Sequence, residues 1–115
     1  MSTGSVATET TAWQPRDGAV PHIRRQLGGD GLTLVRLCFR AGQILDEHRA
    51  PGPILISCVS GSLALDVIDG SGIEQYELAP GTVVHLGGGV PHRLAAHTDA
   101  VVHLTVHRNV PPDPA

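Results

Sequence analysis

Hydrophobic positions in this chain come in short alternating runs separated by glycine and proline, a pattern with period two rather than 3.6. The run 32–39 reads as a strand in which Val35, Leu37 and Phe39 share one face and Arg36 and Cys38 the other. A shorter strand is expected over 22–27, closed by Gly28-Gly29-Asp30-Gly31. The run 54–59 is nearly continuous in β-branched and aliphatic residues and predicts a strand covered on both faces. Gly61 turns the chain into 63–68, and Asp69-Gly70-Ser71-Gly72 is a hairpin signal leading into 73–78. Ala79-Pro80-Gly81 precedes a strand over 82–86, Gly87-Gly88-Gly89 is a tight bend, and 92–97 and 100–107 complete the set. In the last segment His103 and His107 alternate with Val102, Leu104 and Val106, so the apolar face is the core face and the two histidines point away from it. Short strands at roughly eight- to twelve-residue spacing with glycine turns indicate an antiparallel sandwich or barrel.

Composition sharpens this picture. The chain has 115 residues, enough for one domain with its own core. Its 14 glycines and nine prolines favour turns over long helices. With only Trp13, Phe39 and Tyr76 aromatic, the core must be aliphatic, and stacking recognition of sugars is disfavoured. All eight basic residues are arginine, which excludes a Schiff-base lysine. Arg24-Arg25 is the only adjacent basic pair and reads as a solvated strand face, so no nucleic-acid partner is expected. No stretch approaches the ~18 apolar residues of a membrane span, and the N-terminus lacks the pattern of a signal peptide. Cys38 and Cys58 are too few for a disulfide framework. The expectation is a reduced, cytoplasmic protein without a membrane partner. The Ser/Thr-rich residues 1–14 are expected as a flexible tail, with Trp13 able to tack it onto the fold or a partner chain. Residues 20–108 form the expected domain, and 109–115 an extended tail.

Two segments carry more specific information. The first runs from Gly42 through His48 and Ala50 to Gly61; the second runs from Gly81 through Gly87, Gly89 and His92 to Ala96. In spacing and order they resemble the two signature motifs of the cupin superfamily, over roughly residues 32–108. That resemblance implies an all-β, single-domain jelly-roll β-barrel with a pocket inside it. It also implies a metal held by two histidines and a glutamate of the first motif and one histidine of the second. Here His48 and His92 occupy two of those positions. Ala50 stands at the second histidine, Ile54 or Leu55 at the glutamate, Gly87 at a motif proline and Ala96 at a motif asparagine.

The resemblance therefore places His48 and His92 in the barrel cavity but leaves a metal shell short. Catalytic zinc keeps three protein ligands, and non-haem iron takes two histidines and a carboxylate. His85, in the strand entering the glycine bend, is the first candidate to complete the shell, and His103 the second. Cys58 reaches the cavity if Ile54, Ile56 and Cys58 face inward, although a buried cysteine usually serves as a small hydrophobe. Asp46 or Glu47 could orient the His48 ring, against the simpler reading of a solvated edge. His22 and His97 read as surface residues. The expected function is binding of an unidentified small molecule in an aliphatic pocket lined by Ile54, Ile56 and Cys58 and anchored by His48, His92 and His85. At most one divalent ion (Zn, Ni, Fe or Mn) would be weakly held. The alternative is a metal-dependent dioxygenase, isomerase or cyclase whose third ligand is His85 or His103. A third reading is a structural or regulatory module acting through a dimer surface, and a homodimer is expected in any case.

Overall fold

The computed structural model describes residues 4–108. Within them the chain forms nine strands and no helix: β1 (His22–Gly29), β2 (Leu32–Phe39), β3 (Ile44–His48), β4 (Ile54–Ser60), β5 (Leu63–Asp69), β6 (Gly72–Leu78), β7 (Val83–Leu86), β8 (His92–Ala96) and β9 (Ala100–His107). They pair into two antiparallel sheets, one ordered β1-β2-β9-β4-β7 and the other β3-β8-β5-β6. This is the all-β jelly-roll that the sequence indicates, except that the two sheets face each other as a sandwich and are not closed into a barrel. The expected tail 109–115 and the first three residues lie outside the described residues.

The inner faces follow the period-two pattern. Leu37 and Phe39 of β2, Ile54, Ile56 and Cys58 of β4, Leu63, Leu65 and Val67 of β5, Leu94 and Ala96 of β8 and Val102 of β9 form one buried core. Aliphatic residues dominate, with Phe39 the single aromatic ring inside it. Burying this apolar area is the principal stabilising term of the fold.

Two elements differ from expectation. In β4 buried and half-buried residues alternate strictly, so the apolar run is fully covered on one face only. Its central position between β9 and β7 explains the β-branched residues, because neighbours on both sides reward side chains that pack along the sheet. The strand β3 has no signal in the alternation, because Asp46 and Glu47 interrupt it. A β-bulge lies between Leu45, which pairs with Leu94, and His48, which pairs with His92. The extra residue lets Leu45 and His48 both face inward, against a strict period of two.

Residues 4–14, expected as a tail, lie across the outer face of the five-stranded sheet. The carbonyl of Glu9 accepts from Arg36, that of Thr10 lies 2.7 Å from His103 Nε2, and that of Ala12 lies 3.5 Å from Cys38 Sγ. Further along, the buried Gln43 side chain donates to the carbonyls of Arg16 and Gly18 at 2.8 and 3.0 Å. The segment thus runs from one sheet to the start of the other. Serine and threonine content by itself predicts a solvated chain. Its anchors are main-chain carbonyls, which any sequence supplies, together with the Gln14 side-chain oxygen, which accepts from Arg36 at 2.6 Å.

Candidate functional site: a paired histidine at one end of the sandwich

The β3–β8 register sets His48 directly opposite His92, and on the other side of β8 His92 faces Val67 of β5. The two imidazole rings pack with centroids 4.1 Å apart and planes inclined by 58°. His92 is 1% exposed, whereas His48 is half-buried toward solvent. The loop leaving His48 is held by the glycine bend: Gly89 N–H donates to the Ala50 carbonyl at 2.7 Å. A Cβ at Gly88 would sit 3.0 Å from the Pro51 carbonyl oxygen, so the bend approaches the loop more closely than a side chain comfortably allows. Both motifs therefore meet at one end of the sandwich.

Hydrogen bonding defines the chemical state of the pair. His48 Nδ1 lies 2.9 Å from the Asp46 carbonyl, and His92 Nδ1 lies 3.0 Å from the Val90 carbonyl. A carbonyl only accepts, so each Nδ1 carries the proton. In the neutral ring Nε2 is then the unprotonated nitrogen, offering a lone pair. Burial pushes the His92 imidazolium below its ordinary value of 6.5 and the neighbouring His48 pushes the same way, opposed by the Val90 carbonyl. His92 is thus held neutral, as an acceptor, with its donor satisfied by backbone.

The remaining sequence candidates fall elsewhere. Ile54, Ile56 and Cys58 point into the core, as the alternation of β4 requires. Cys58 lies at the Gly61 end of its strand, with Sγ 3.5 Å from the Ser60 and Gly61 carbonyls. Burial pushes its thiol up, against the Ser60 carbonyl that lowers it, which leaves it a poor metal ligand. His85 is exposed: in β7 it is Val84 that packs on the core, and Leu86 that is buried. His103 sits on the outer face of β9 beneath residues 9–12. Neither reaches the His48–His92 pair from its face of the sheet. Asp46 turns outward as well, with its carboxylate 3.9 Å from Arg93 on the outer face of the four-stranded sheet. His97 pairs with Glu77 at 2.9 Å on the surface, and His22 is half-buried.

A metal can be tested against these donors. Among the described residues no group of three or more His, Cys, Asp and Glu side chains could hold an ion. At the motif position of the missing histidine, Ala50 packs against the core; at that of the missing carboxylate, Ile54 is 1% exposed. Two imidazoles with their Nδ1 atoms tied to carbonyls have the orientation of metal ligands, but the set is one donor short of a stable site. The residues present do not fit the family's metal.

The sequence signal that found this pair was motif spacing. What it could not show was Arg36, an outward-facing residue of β2 that is nonetheless 2% exposed.

The comparisons with known proteins agree with the geometry. Residues 35–107 match the family model described as Cupin domain. A conserved protein of unknown function from Streptococcus pyogenes superposes with a TM-score of 0.74 at 20% identity, covering 96% of this chain and 93% of that one. KdgF from Halomonas sp. gives a TM-score of 0.72 at 20% identity, with 93% and 96% coverage. Oxalate decarboxylase from Bacillus subtilis gives 0.72 at 18% identity, covering 90% of this chain and 30% of that larger one. At these identities the likeness is one of fold. No curated protein matches the chain significantly. The family match begins in β2 and ends with β9, enclosing both motif histidines and the sheets that pair them, and on that ground the chain belongs to the cupin family.

Proposed function

We propose that this cupin binds a small, largely apolar molecule at the His48–His92 end of the sandwich, through a hydroxyl or N–H group on the ligand. One observation carries the reading: both Nδ1 atoms are committed to backbone carbonyls, so two adjacent Nε2 lone pairs remain as acceptors. The surrounding positions are aliphatic. Ala50 and Val90 pack on the core beside the two histidines, and Ile54 and Ile56 pair across β4–β9 with Val106 and Leu104. A mostly apolar wall with a few placed polar atoms is the usual character of a small-molecule site.

A metal-dependent reaction is the second reading. It draws on the Mn(II) centres of Bacillus subtilis oxalate decarboxylase, a protein similar in fold to this chain. It would need a third donor that the described residues do not bring to the pair.

One experiment addresses both. A set of small alcohols, phenols and lactams is screened by ligand-observed NMR against the wild type and His92→Phe, which keeps an aromatic ring and loses the acceptor. Donor-bearing fragments should bind the wild type and lose at least ~1 kcal/mol in the variant, the worth of a hydrogen bond. Equal binding to both proteins would remove the acceptor role. Stoichiometric metal retained by the wild type through dialysis would instead favour the metal-dependent reading.

A further inference from the structure

On the opposite side of the five-stranded sheet, away from the histidine pair, the N-terminal segment roofs a pocket of about 360 Å³. Its floor is the β1–β2 hairpin. The lining includes Arg24, Arg25 and Arg36, with Gln14 and Glu9 contributed by the segment above. Three arginines and one acidic residue thus line it. The volume is at the small end of the range of ligand sites, roughly 300–1,000 Å³.

Arg36 is the unusual member. It is 2% exposed, and no carboxylate of the described residues pairs with it. Its two terminal nitrogens donate to the Glu9 carbonyl at 3.3 Å and to Gln14 Oε1 at 2.6 Å, while its buried Nε has no hydrogen-bond partner. A buried cation held only by neutral oxygens is costly.

The register adds to this cost. Arg24 is the direct cross-strand neighbour of Arg36, and like charges placed so are destabilising. Between them lies one oxygen, Gln14 Oε1, 2.6 Å from Arg36 and 3.5 Å from Arg24. It occupies the place that an anion's oxygen would take. The third cation is also positioned: a β-bulge follows Arg25, and its guanidinium lies over Gly28, where a Cβ would come within 2.0 Å of it. The absence of a side chain at Gly28 leaves room for that approach. Glu9, whose carbonyl caps Arg36, holds a left-handed backbone with φ 58°, a conformation unfavourable for a non-glycine residue.

We propose that this pocket binds the phosphoryl group of a small molecule, between free phosphate and a simple phosphomonoester. Arg36 and Arg24 grip its oxygens on either side of the Gln14 position, and Arg25 closes over it. A phosphoryl group carries about −1.5 to −2 at neutral pH and takes forked bonds from arginine. That charge balances the excess of three cations over one carboxylate. The roof of residues 7–14 selects a small molecule over a membrane surface.

The test titrates inorganic phosphate and phenyl phosphate at ionic strength held constant with sodium chloride, following Arg36 Nε–H and the backbone of residues 7–14 by NMR. The expected result is a saturable shift at Arg36 Nε–H, and a higher melting temperature with phosphate than with chloride. Arg24→Ala and Arg25→Ala, both at exposed positions, should each weaken binding roughly tenfold, the loss of one charge-assisted bond. Arg36→Met should abolish it; because that variant can fail to fold, the exposed pair decides. A response no different from chloride, or unchanged affinity in both exposed variants, would overturn the proposal and leave Arg36 as a clasp for the N-terminal segment. Co-sedimentation with phosphatidic acid vesicles, in place of saturable phosphate binding, would overturn the small-molecule assignment.

Discussion

His92 concentrates the residue-scale chemistry. It is an ionisable side chain at 1% exposure with its Nδ1 donor satisfied by a carbonyl and its ring packed against another imidazole. Burial lowers its proton affinity below the ordinary value of 6.5. The unfolded chain therefore binds this proton more readily than the folded one. The contribution of His92 to stability is complete above about pH 6.5 and is lost as pH falls below that value. Thermal melting from pH 8 to pH 5 should show the decline, and His92→Phe should flatten it; an equally steep decline in the variant would assign the effect to other groups. Ala50 supplies the complementary test. Restoring histidine there adds a third imidazole beside His48 and His92. Ala50→His should bind Zn²⁺ or Ni²⁺ at least about tenfold more tightly than the wild type, equivalent to ~1.4 kcal/mol. Calorimetric titration measures it, and His92→Phe in the same background should reverse the gain.

Among the elements, β3 and the turn at Gly61 show how local irregularity serves the site. Without the bulge between Leu45 and His48, one of these residues would point outward, because each single step along a strand reverses the face. Gly61 turns β4 into β5 with φ 79°, and a Cβ there would lie 2.1 Å from the Asp99 carbonyl oxygen. Gly61→Ala combines a left-handed backbone with a collision against main chain, neither of which a side chain can relieve. It should cost about 2 kcal/mol or more, read as a lower denaturation midpoint at unchanged slope. An alanine variant as stable as the wild type would show that the turn can rearrange.

For the whole molecule, the N-terminal segment is the decisive feature. Cys38 is fully buried, with its Sγ against the Ala12 carbonyl, although it points to the outer face of the sheet. Removing residues 1–14 should uncover it while leaving the two-sheet core intact. The shortened chain should still melt cooperatively, with one thiol now reacting rapidly with a disulfide reagent while Cys58, inside the core, stays protected. Slow reaction of both thiols would mean that something else covers Cys38. A homodimer is the expected assembly, because β1 is an edge strand with Ile23 52% exposed and unpaired backbone along one side. Sedimentation at micromolar concentration should give twice the monomer mass; monomer alone counts against it.

Periodicity alone reached the all-β class, most strand positions and the apolar faces of β2 and β9, because apolar side chains must share one face of a strand to be buried. The resemblance to the two cupin motifs implied that His48 and His92 share a site, and the β3–β8 register sets them opposite each other. The missing ligands were legible as plainly, since Ala50 and Ile54 have no donor atoms in any conformation. Tertiary structure decided what depends on contacts distant in sequence. The bulge in β3 is defined only against β8, and the tautomers of the two histidines only by carbonyls in place. The exposure of His85 follows from which face of β7 meets the core. The least legible residue was Arg36. In the sequence it is a polar position on a solvent-facing strand surface, and only a segment more than twenty residues earlier, folded back through the Glu9 carbonyl and the Gln14 side chain, turns it into a buried charge.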